Sequence, residues 1–447
     1  MEKNKMGYMP IPKLILTMSL PAIFSMMTQA LYNIVDSIFV AQIGEEAITA
    51  LSLAFPVQLV IVACFVGMGV GINSLISRSL GAKNFEQATL AAEHGFFIAI
   101  ILYGFIALMG IFVMPSFVRM FTDDPLIVNY CIQYLQIVML FAFGRILAQA
   151  GVSILQGSGE MLIPMFSQLI GAIGNIILDP IMIFGLLDFP ALGVRGAAIA
   201  TVTAQIASMI FVFLMVFKFK KVVQFKPFSF KVNRDILKKI LIVGLPAAIM
   251  QAVASVMLTG LNLILAGFTT TAVAVLGIYY KLQSFVFMPI FGLSQGMMPI
   301  IGYNYGAKSK DRLLKALKLG LTIAIIYMTL GLTLFQIFPK QLILWFKGTD
   351  EMVEIGVRAF KVISLGYPLA AISIVLSTAF QGMGEAHLSM IVSFFRQIIV
   401  LLPLAWLLGT FGSLSMIWFA FIIAELIGVA MVVFFFKRLY QTKINQL

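Results

Sequence analysis

Two acidic residues, Asp36 and Asp179, stand inside long apolar runs, where ionisable side chains are rare. Tyr32 and Asn33 precede Asp36 by four and three positions, and Asn175 precedes Asp179 by four. Residues at that spacing share one face of a helix. Burial and a like-charged neighbour favour a protonated carboxyl group, and small hard cations prefer oxygen ligands. These residues therefore suit a proton relay or a small cation.

Two further features support the same chemistry. Thr201, in a neighbouring apolar run, can add a hydroxyl group. Pro180 has no N–H, so it frees the carbonyl oxygen of Ile176. We expect a proton or Na⁺ site formed by Asp36, Asn175, Asp179 and Thr201, with Tyr32 beside it. The alternative is a pair of acids that are hydrogen-bonded for structural reasons only.

The second half of the chain has no acid at the matching positions. Lys281, Arg396 and Glu425 fall near the middle of its apolar runs. We expect Glu425 to pair with one of the two cations. The remaining cation could meet an anionic group on a substrate or a carboxylate of the first half.

Other chemistry is poorly supported by the sequence. The nucleotide-binding pattern GxxxxGK[ST] and the zinc motif HExxH are both absent, so we expect no cofactor and no enzymatic activity. Cys64 and Cys131 lie in apolar runs without metal-ligand spacing. His94 and His387 stand at the edges of apolar runs, where we expect them to be solvated.

Polar side chains and flexible methionines could line a cavity between the two halves. Methionine-rich surfaces suit varied apolar ligands. The candidates are Met26, Met27, Asn33, Gln251, Met257, Tyr280, Lys281, Gln283, Met288 and Arg396. Pro21 and Pro246 lie inside apolar runs and could act as hinges or as fixed bends.

The elements that position these residues must be membrane helices. Of 447 residues, 61% are hydrophobic and 11% charged, against about 45–50% and 25% in soluble proteins. Lipid satisfies no backbone polar group, so continuous apolar runs must be helical. The sequence predicts an all-α protein with twelve spans: 14–40, 47–76, 88–113, 126–150, 161–186, 194–217, 240–266, 272–302, 319–338, 354–380, 387–409 and 413–436.

The basic residues predict the orientation of these spans. With the amino terminus inside, 21 lysines and arginines fall in inner segments and four in outer loops. Inner loops are enriched in basic residues, so both termini are expected in the cytoplasm. This distribution accounts for the net charge of +12. It indicates contact with anionic lipids and argues against nucleic-acid binding.

The chain also contains an internal repeat with an offset of 225 residues. Leu20-Pro21-Ala22 aligns with Leu245-Pro246-Ala247, and Gly81-Ala82-Lys83 aligns with Gly306-Ala307-Lys308. Gln156–Glu160 aligns with Gln381–Glu385. We expect two six-helix bundles related as parallel repeats, 1–217 and 240–447, joined by a basic linker at 218–239. This organisation is typical of secondary transporters.

These motifs, with Tyr32-Asn33-Ile34-Val35-Asp36 and Gly193–Thr201, resemble the multidrug and toxic compound extrusion (MATE) family over essentially the whole chain. The pattern is closer to its DinF and MepA types than to the NorM type. The resemblance implies cation-coupled drug efflux, with the coupling site at Asp36, Asn175, Asp179 and Thr201. NorM-type members carry an acid in the seventh span, where this chain has Gln251, so coupling through the second half is not expected.

The expected function is export of amphipathic organic compounds in exchange for inward H⁺ or Na⁺. We expect a monomer in the bacterial inner membrane. A flippase for a lipid-linked saccharide is the nearest alternative, although few arginines are available to line its cavity. An integral-membrane lipid enzyme is a more distant one.

Overall fold

The computed structural model describes residues 4–218, 231–346 and 348–447, without the side chains of Asn33, Ser37 and Ala41. These residues form helices and loops, and no β-strand occurs among them. Most of the predicted basic linker, residues 219–230, lies outside the described ranges. Within those ranges, ten helices are long and apolar enough to cross a membrane, or twelve if two bent helix pairs each count as one span.

The described part of the first half contains nine α-helices. They are α1 (Lys5–Tyr8), α2 (Ile11–Ala41), α3 (Glu45–Gly81), α4 (Phe85–Phe112), α5 (Met114–Arg119), α6 (Pro125–Leu140), α7 (Phe143–Gly157), α8 (Leu162–Phe184) and α9 (Val194–Lys218). The short helix α1 precedes the first span, and the short helix α5 follows the third.

The second half repeats this order. It contains α10 (Arg234–Ala266), α11 (Thr270–Gly306), α12 (Lys310–Ile337), α13 (Pro339–Leu344), α14 (Asp350–Ser364), α15 (Tyr367–Met383), α16 (Ala386–Phe394), a π-helix (Phe395–Leu401), α17 (Leu402–Phe411), α18 (Leu414–Ile417), α19 (Phe419–Thr442) and a terminal 3₁₀ turn (Ile444–Gln446).

The fourth and tenth predicted spans are bent rather than straight. Helices α6 and α7 meet at 43°, and α14 and α15 meet at 47°. The two bends lie at equivalent points of the repeat. In the second half, Pro368 sits in the first turn of α15 and has no N–H to continue the preceding helix. In the first half, Gly144 is the second residue of α7, and a side chain there would collide with Ile206 of α9.

The two halves pack against each other through glycines that occupy equivalent positions in the repeat. Helix α3 packs on α10, and α11 packs on α2. A methyl group at Gly67 would overlap the backbone of Gly244, and one at Gly292 would overlap that of Ile23. Gly71 and Gly296 are equally close to the opposite half. All four glycines lie in the C-terminal parts of α3 and α11, so the halves meet closely at that end of the bundle.

Each half begins inside the hydrophobic core of the other. Met6 and Leu14 are fully buried among side chains of the second half. Ile236 and Ile240, at the start of α10, are buried among side chains of the first half. Two entry segments therefore tie the halves together at one end.

Hydrogen bonds reinforce the first of these crossings. The Arg312 guanidinium donates to the carbonyl oxygens of Met6 and Met9, at 3.0 and 2.8 Å. It also donates to the side chain of Asn304. On the other side, the Asn4 amide donates to the carbonyl oxygen of Ser158 at 3.0 Å. We call these five residues, Asn4, Met6, Met9, Asn304 and Arg312, the terminal clasp.

The second crossing places His94 in the protein interior. Its side chain is fully buried, so the expectation that it is solvated was wrong. Its Nε2 atom accepts the backbone N–H of Asn233 at 2.8 Å, and Nδ1 lies 2.7 Å from the carbonyl oxygen of Leu90. The chain before α10 folds over the edge of α4 and removes this histidine from solvent.

Candidate functional site

Close packing of α8 on α9 builds the floor of the site. The two helices approach through small residues, as is common in membrane proteins. Gly174 faces Ala204, and the hydroxyl groups of Ser167 and Ser208 lie 2.7 Å apart. A side chain at Gly196 would overlap the backbone of α8. This packing brings Asn175 and Asp179 of α8 against Thr201 of α9.

The polar residues of the floor form a buried hydrogen-bonded cluster. Asp179, Asn175 and Thr201 are 0%, 2% and 8% exposed. The Asn175 amide donates to Asp179 Oδ1 at 3.3 Å and to Thr201 Oγ1 at 3.1 Å. Among the described residues, Asn175 Oδ1 and Asp179 Oδ2 have no hydrogen-bond partner. Two buried oxygen atoms are therefore available to a proton donor or a cation.

Helix α2 brings Asp36 to this cluster. The carboxyl groups of Asp36 and Asp179 lie within hydrogen-bonding reach of each other. Two carboxylates have no donor between them. Such a contact is stable only if one of them carries a proton or if a cation lies between them. Asp36 is less buried than Asp179, so it stands on the more accessible side of the pair.

Tyr32 lies one helical turn from Asp36 and completes the predicted group. Its hydroxyl is within reach of Thr201, and its side chain is near both acids. The structure thus brings together all five predicted residues, Tyr32, Asp36, Asn175, Asp179 and Thr201. For Asn33 only the backbone is described. The coupling role of these residues stays a prediction at this point.

Sequence reasoning did not single out Arg145, which lies near Tyr32. It sits just after the bend between α6 and α7, and its guanidinium group stands 5.1 Å from the centre of the Phe65 ring. No carboxylate of a described side chain lies within 4 Å of it. An arginine inside an apolar span is the signal that could have identified it. Tyr134 also lies near both acids, and Gln58 contacts Tyr134.

In the second half, the structure pairs Glu425 with Arg396 at 2.5 Å. The expected ion pair therefore forms, and Arg396 rather than Lys281 is the partner. Arg396 lies on the π-helix, a form that is frequent at functional sites. Lys281 is exposed, as are Ala274, Gly277 and Phe285 on the same face of α11.

The predicted cavity residues have different surroundings. Met26 is close to Gln295 of α11, at the contact between the halves. Met257 and Tyr280 pack at the edge of the second hydrophobic core. Gln283 lines a cavity within the second half. Met27 and Gln251 are exposed, and Met288 is partly buried. No described contact shows that these residues bind a ligand.

The two prolines proposed as hinges lie inside continuous helices. Pro21 is within α2 and Pro246 within α10. Neither helix is interrupted, so a hinge role stays a prediction.

Two repeated six-span halves, packed at one end and holding buried carboxyl groups, define a multi-pass membrane transporter. The sequence profile of the MatE family matches residues 21–181 and 246–407, and these two matches begin 225 residues apart. The chain belongs to the MatE family, whose members are transporters and not enzymes.

Curated relatives from bacteria align over most of the chain. A protein of Shewanella oneidensis named FAD transporter is 28% identical over 89% of this chain and 88% of its own. The multidrug export protein MepA of Staphylococcus saprophyticus is 26% identical, with 92% and 90% covered. The probable multidrug resistance protein NorM of Thermotoga maritima is also 26% identical, with 91% and 88% covered.

Solved structures agree with the fold. A crystal structure of MATE in complex with MaL6 has a TM-score of 0.93 and 27% identity, covering all of both chains. An outward-facing MATE family transporter has a TM-score of 0.93 and 26% identity, covering 100% of this chain and 99% of its own.

Proposed function

We propose that this protein exports amphipathic organic compounds in exchange for inward H⁺ or Na⁺, with the cation bound at Asp36 and Asp179. The contact between these two carboxyl groups carries the proposal, because it requires a proton or a cation. The unpartnered oxygen atoms of Asn175 and Asp179 support it, since they suit a hard cation. These groups come from α2, α8 and α9, so occupancy can change how the three helices pack.

The same proposal includes an orientation of the protein in the membrane. Both termini lie on the cytoplasmic side of a bacterial inner membrane, in agreement with the many basic residues of the inner segments. The close glycine contacts and the terminal clasp then lie at the cytoplasmic end. We propose that the described state is closed to the cytoplasm and that the cation reaches Asp36 from outside. The protein works as a monomer in contact with lipid and needs no cofactor.

A flippase for a lipid-linked saccharide is the second candidate. Its anionic lipid would need several cations on the cavity wall. The ion pair with Glu425 occupies Arg396, which leaves Lys281 and Arg145 for this task. This arrangement favours the antiporter. The names of the relatives cover both drugs and a flavin nucleotide, so the fold itself leaves the transported compound open.

The decisive experiment uses purified protein in liposomes loaded with a fluorescent dye. A pH gradient and a Na⁺ gradient are imposed separately, and dye movement is followed. We expect one of the two gradients to drive dye against its concentration difference. If neither gradient moves dye faster than in protein-free liposomes, the antiport proposal is wrong. Stimulated transfer of a lipid-linked sugar between leaflets would favour the flippase.

A further inference from the structure

The second half contains an open cavity that the cation site does not use. It has a volume of about 40 Å³ for water-sized molecules and lies among α11, α14, α15 and α19. Four of its nine described lining residues are aromatic, two are small and two, Gln283 and Glu425, add polar groups. Its lining includes Tyr279, Gln283, Phe287, Tyr367, Phe421 and Glu425.

Two polar atoms of this cavity are buried and lack partners. Glu425 Oε2 and the hydroxyl oxygen of Tyr367 make no hydrogen bond with any described residue. The Tyr367 hydroxyl lies beside that of Tyr279. A buried polar group without a partner is unfavourable. A ligand that offers one donor and one acceptor would satisfy both atoms.

The Glu425 carboxylate in this cavity is neutralised by Arg396, which donates to its other oxygen at 2.5 Å. The cavity wall therefore offers a hydrogen-bond acceptor that belongs to an ion pair with no net charge. An organic cation would be attracted by Glu425 and repelled by Arg396. It would also lose hydration on entry, which an uncharged ligand avoids. The ion pair therefore favours a neutral hydrogen-bond donor over a cation.

The backbone is shaped to hold this ion pair. A side chain at Gly428 would come within 2.8 Å of Arg396 Cδ, and one at Gly366 within 3.2 Å of Glu425 Cγ. Both positions are glycine, so both charged side chains have room. The π-helix carries Arg396 towards α19. The ion pair of Arg396 and Glu425 is therefore a built-in part of the cavity wall and not a mobile contact at the protein surface.

We propose that this cavity binds the edge of an uncharged planar heteroaromatic ring with an N–H donor next to a carbonyl group, as in a lactam or an imide. The N–H donates to Glu425 Oε2, and the carbonyl oxygen accepts from the Tyr367 hydroxyl. The ring faces lie against Phe287 and Phe421. The inference rests on the proposed function, because the ring would be part of the exported compound.

Three matched ligands test the chemistry. 2-Quinolinone has the donor and the carbonyl, N-methyl-2-quinolinone lacks the donor, and N-methylquinolinium is a cation of similar size. Binding to the purified protein is measured by equilibrium dialysis, with detergent micelles on both sides to cancel partition. We expect 2-quinolinone to bind at least tenfold more tightly than either analogue, because each leaves Glu425 Oε2 unpaired. Tighter binding of the cation, or equal binding of all three, would overturn the proposal.

Two tyrosine variants test the location. Tyr367→Phe removes only the hydroxyl and should weaken 2-quinolinone binding by roughly three- to tenfold. Tyr327→Phe on α12, outside the cavity, should bind as the unaltered protein does. An unchanged affinity in Tyr367→Phe would place the ligand elsewhere. Should Tyr367→Phe fail to fold, the ligand series on the unaltered protein still decides.

The binding assay needs no ion gradient, so its failure is separate from that of the proposed function. Gradient-driven dye export without 2-quinolinone binding would overturn the cavity proposal alone. Binding without any gradient-driven export would overturn the antiport proposal alone.

Discussion

At the scale of single residues, the two halves of the protein hold opposite arrangements of charge. The first half brings two carboxyl groups together and leaves Arg145 without a carboxylate among the described side chains. The second half pairs Glu425 with Arg396. Uncompensated charge in a membrane is unfavourable and points to function. The excess acid of the first half is therefore where a transported cation is expected to bind.

The first prediction concerns the two acids. One charge moving inward at 100 mV supplies about 2.3 kcal/mol, which sustains roughly a 50-fold concentration ratio of drug. Asp36→Asn or Asp179→Asn removes a charge with little change in shape, so we expect the ratio to fall towards one while dye still binds. Dye accumulation in liposomes measures it. Asp188→Asn, in the exposed loop after α8, is the control. Coupled export by both variants at the unaltered rate would contradict the assignment.

The second prediction concerns Arg145. Its positive charge lies near Tyr32 and opposes cation binding at the acids. Arg145→Gln should lower the cation concentration for half-maximal transport several-fold and slow turnover, since release becomes harder. Arg145→Lys keeps the charge and should behave more like the unaltered protein. A higher half-maximal cation concentration in Arg145→Gln would show that the arginine acts in some other way.

At the scale of helices, glycine decides how closely the halves approach. The pairs Gly67 with Gly292 and Gly71 with Gly296 lie at equivalent repeat positions, and each faces the backbone of the opposite half. A side chain at any of them must push α3 from α10 or α11 from α2. The described state depends on these contacts, because they join the halves at one end.

The third prediction uses two glycines of the same helix. Gly296→Ala places a methyl group against the Ser19 backbone, and such overpacking destabilises by roughly 1–3 kcal/mol. Gly277→Ala meets no atom within 4 Å and should be neutral or slightly stabilising. Thermal unfolding of the purified variants compares them. Equal melting temperatures of the two variants would show that the contact between the halves accommodates a methyl group at position 296 without strain.

At the scale of the whole molecule, two crossing segments hold the halves together. The terminal clasp joins the start of the chain to both halves, and the contact of Asn233 with His94 does the same for the start of α10. Any state that is open at this end must break both. Few residues make the hydrogen bonds of these crossings, and the buried side chains of Met6, Leu14, Ile236 and Ile240 add apolar contacts to them.

The fourth prediction concerns the clasp. Arg312→Gln removes the donor to the carbonyl oxygen of Met9 and the shorter of two donors to that of Met6, where Asn304 remains at 3.4 Å. Leaving the Met9 oxygen without a partner costs about 1–3 kcal/mol. We expect backbone amide exchange in residues 5–9 to accelerate about tenfold or more, measured by hydrogen–deuterium exchange. Lys315→Gln, exposed on the same helix, is the control. Equal exchange in both variants would show that Arg312 does not hold the clasp.

Much of the architecture could be predicted from the sequence. Hydropathy predicts twelve spans because lipid requires helices, and the 225-residue repeat predicts two equivalent halves. The spacing of Asp36 and Asp179 from their amide and hydroxyl neighbours identifies one site, because residues four apart share a helix face. The bends in spans four and ten were missed, since apolar character continues through both.

The sequence alone determined three properties: the membrane helices, the internal repeat, and the polar residues that share one face of a helix. Contacts between helices were decided only by the tertiary structure. It paired Glu425 with Arg396 rather than Lys281, brought Arg145 towards Tyr32, and buried His94 beneath the chain before α10. It also placed the start of each half in the core of the other. The physical reason is that residues far apart in sequence meet only through packing, which no local spacing encodes.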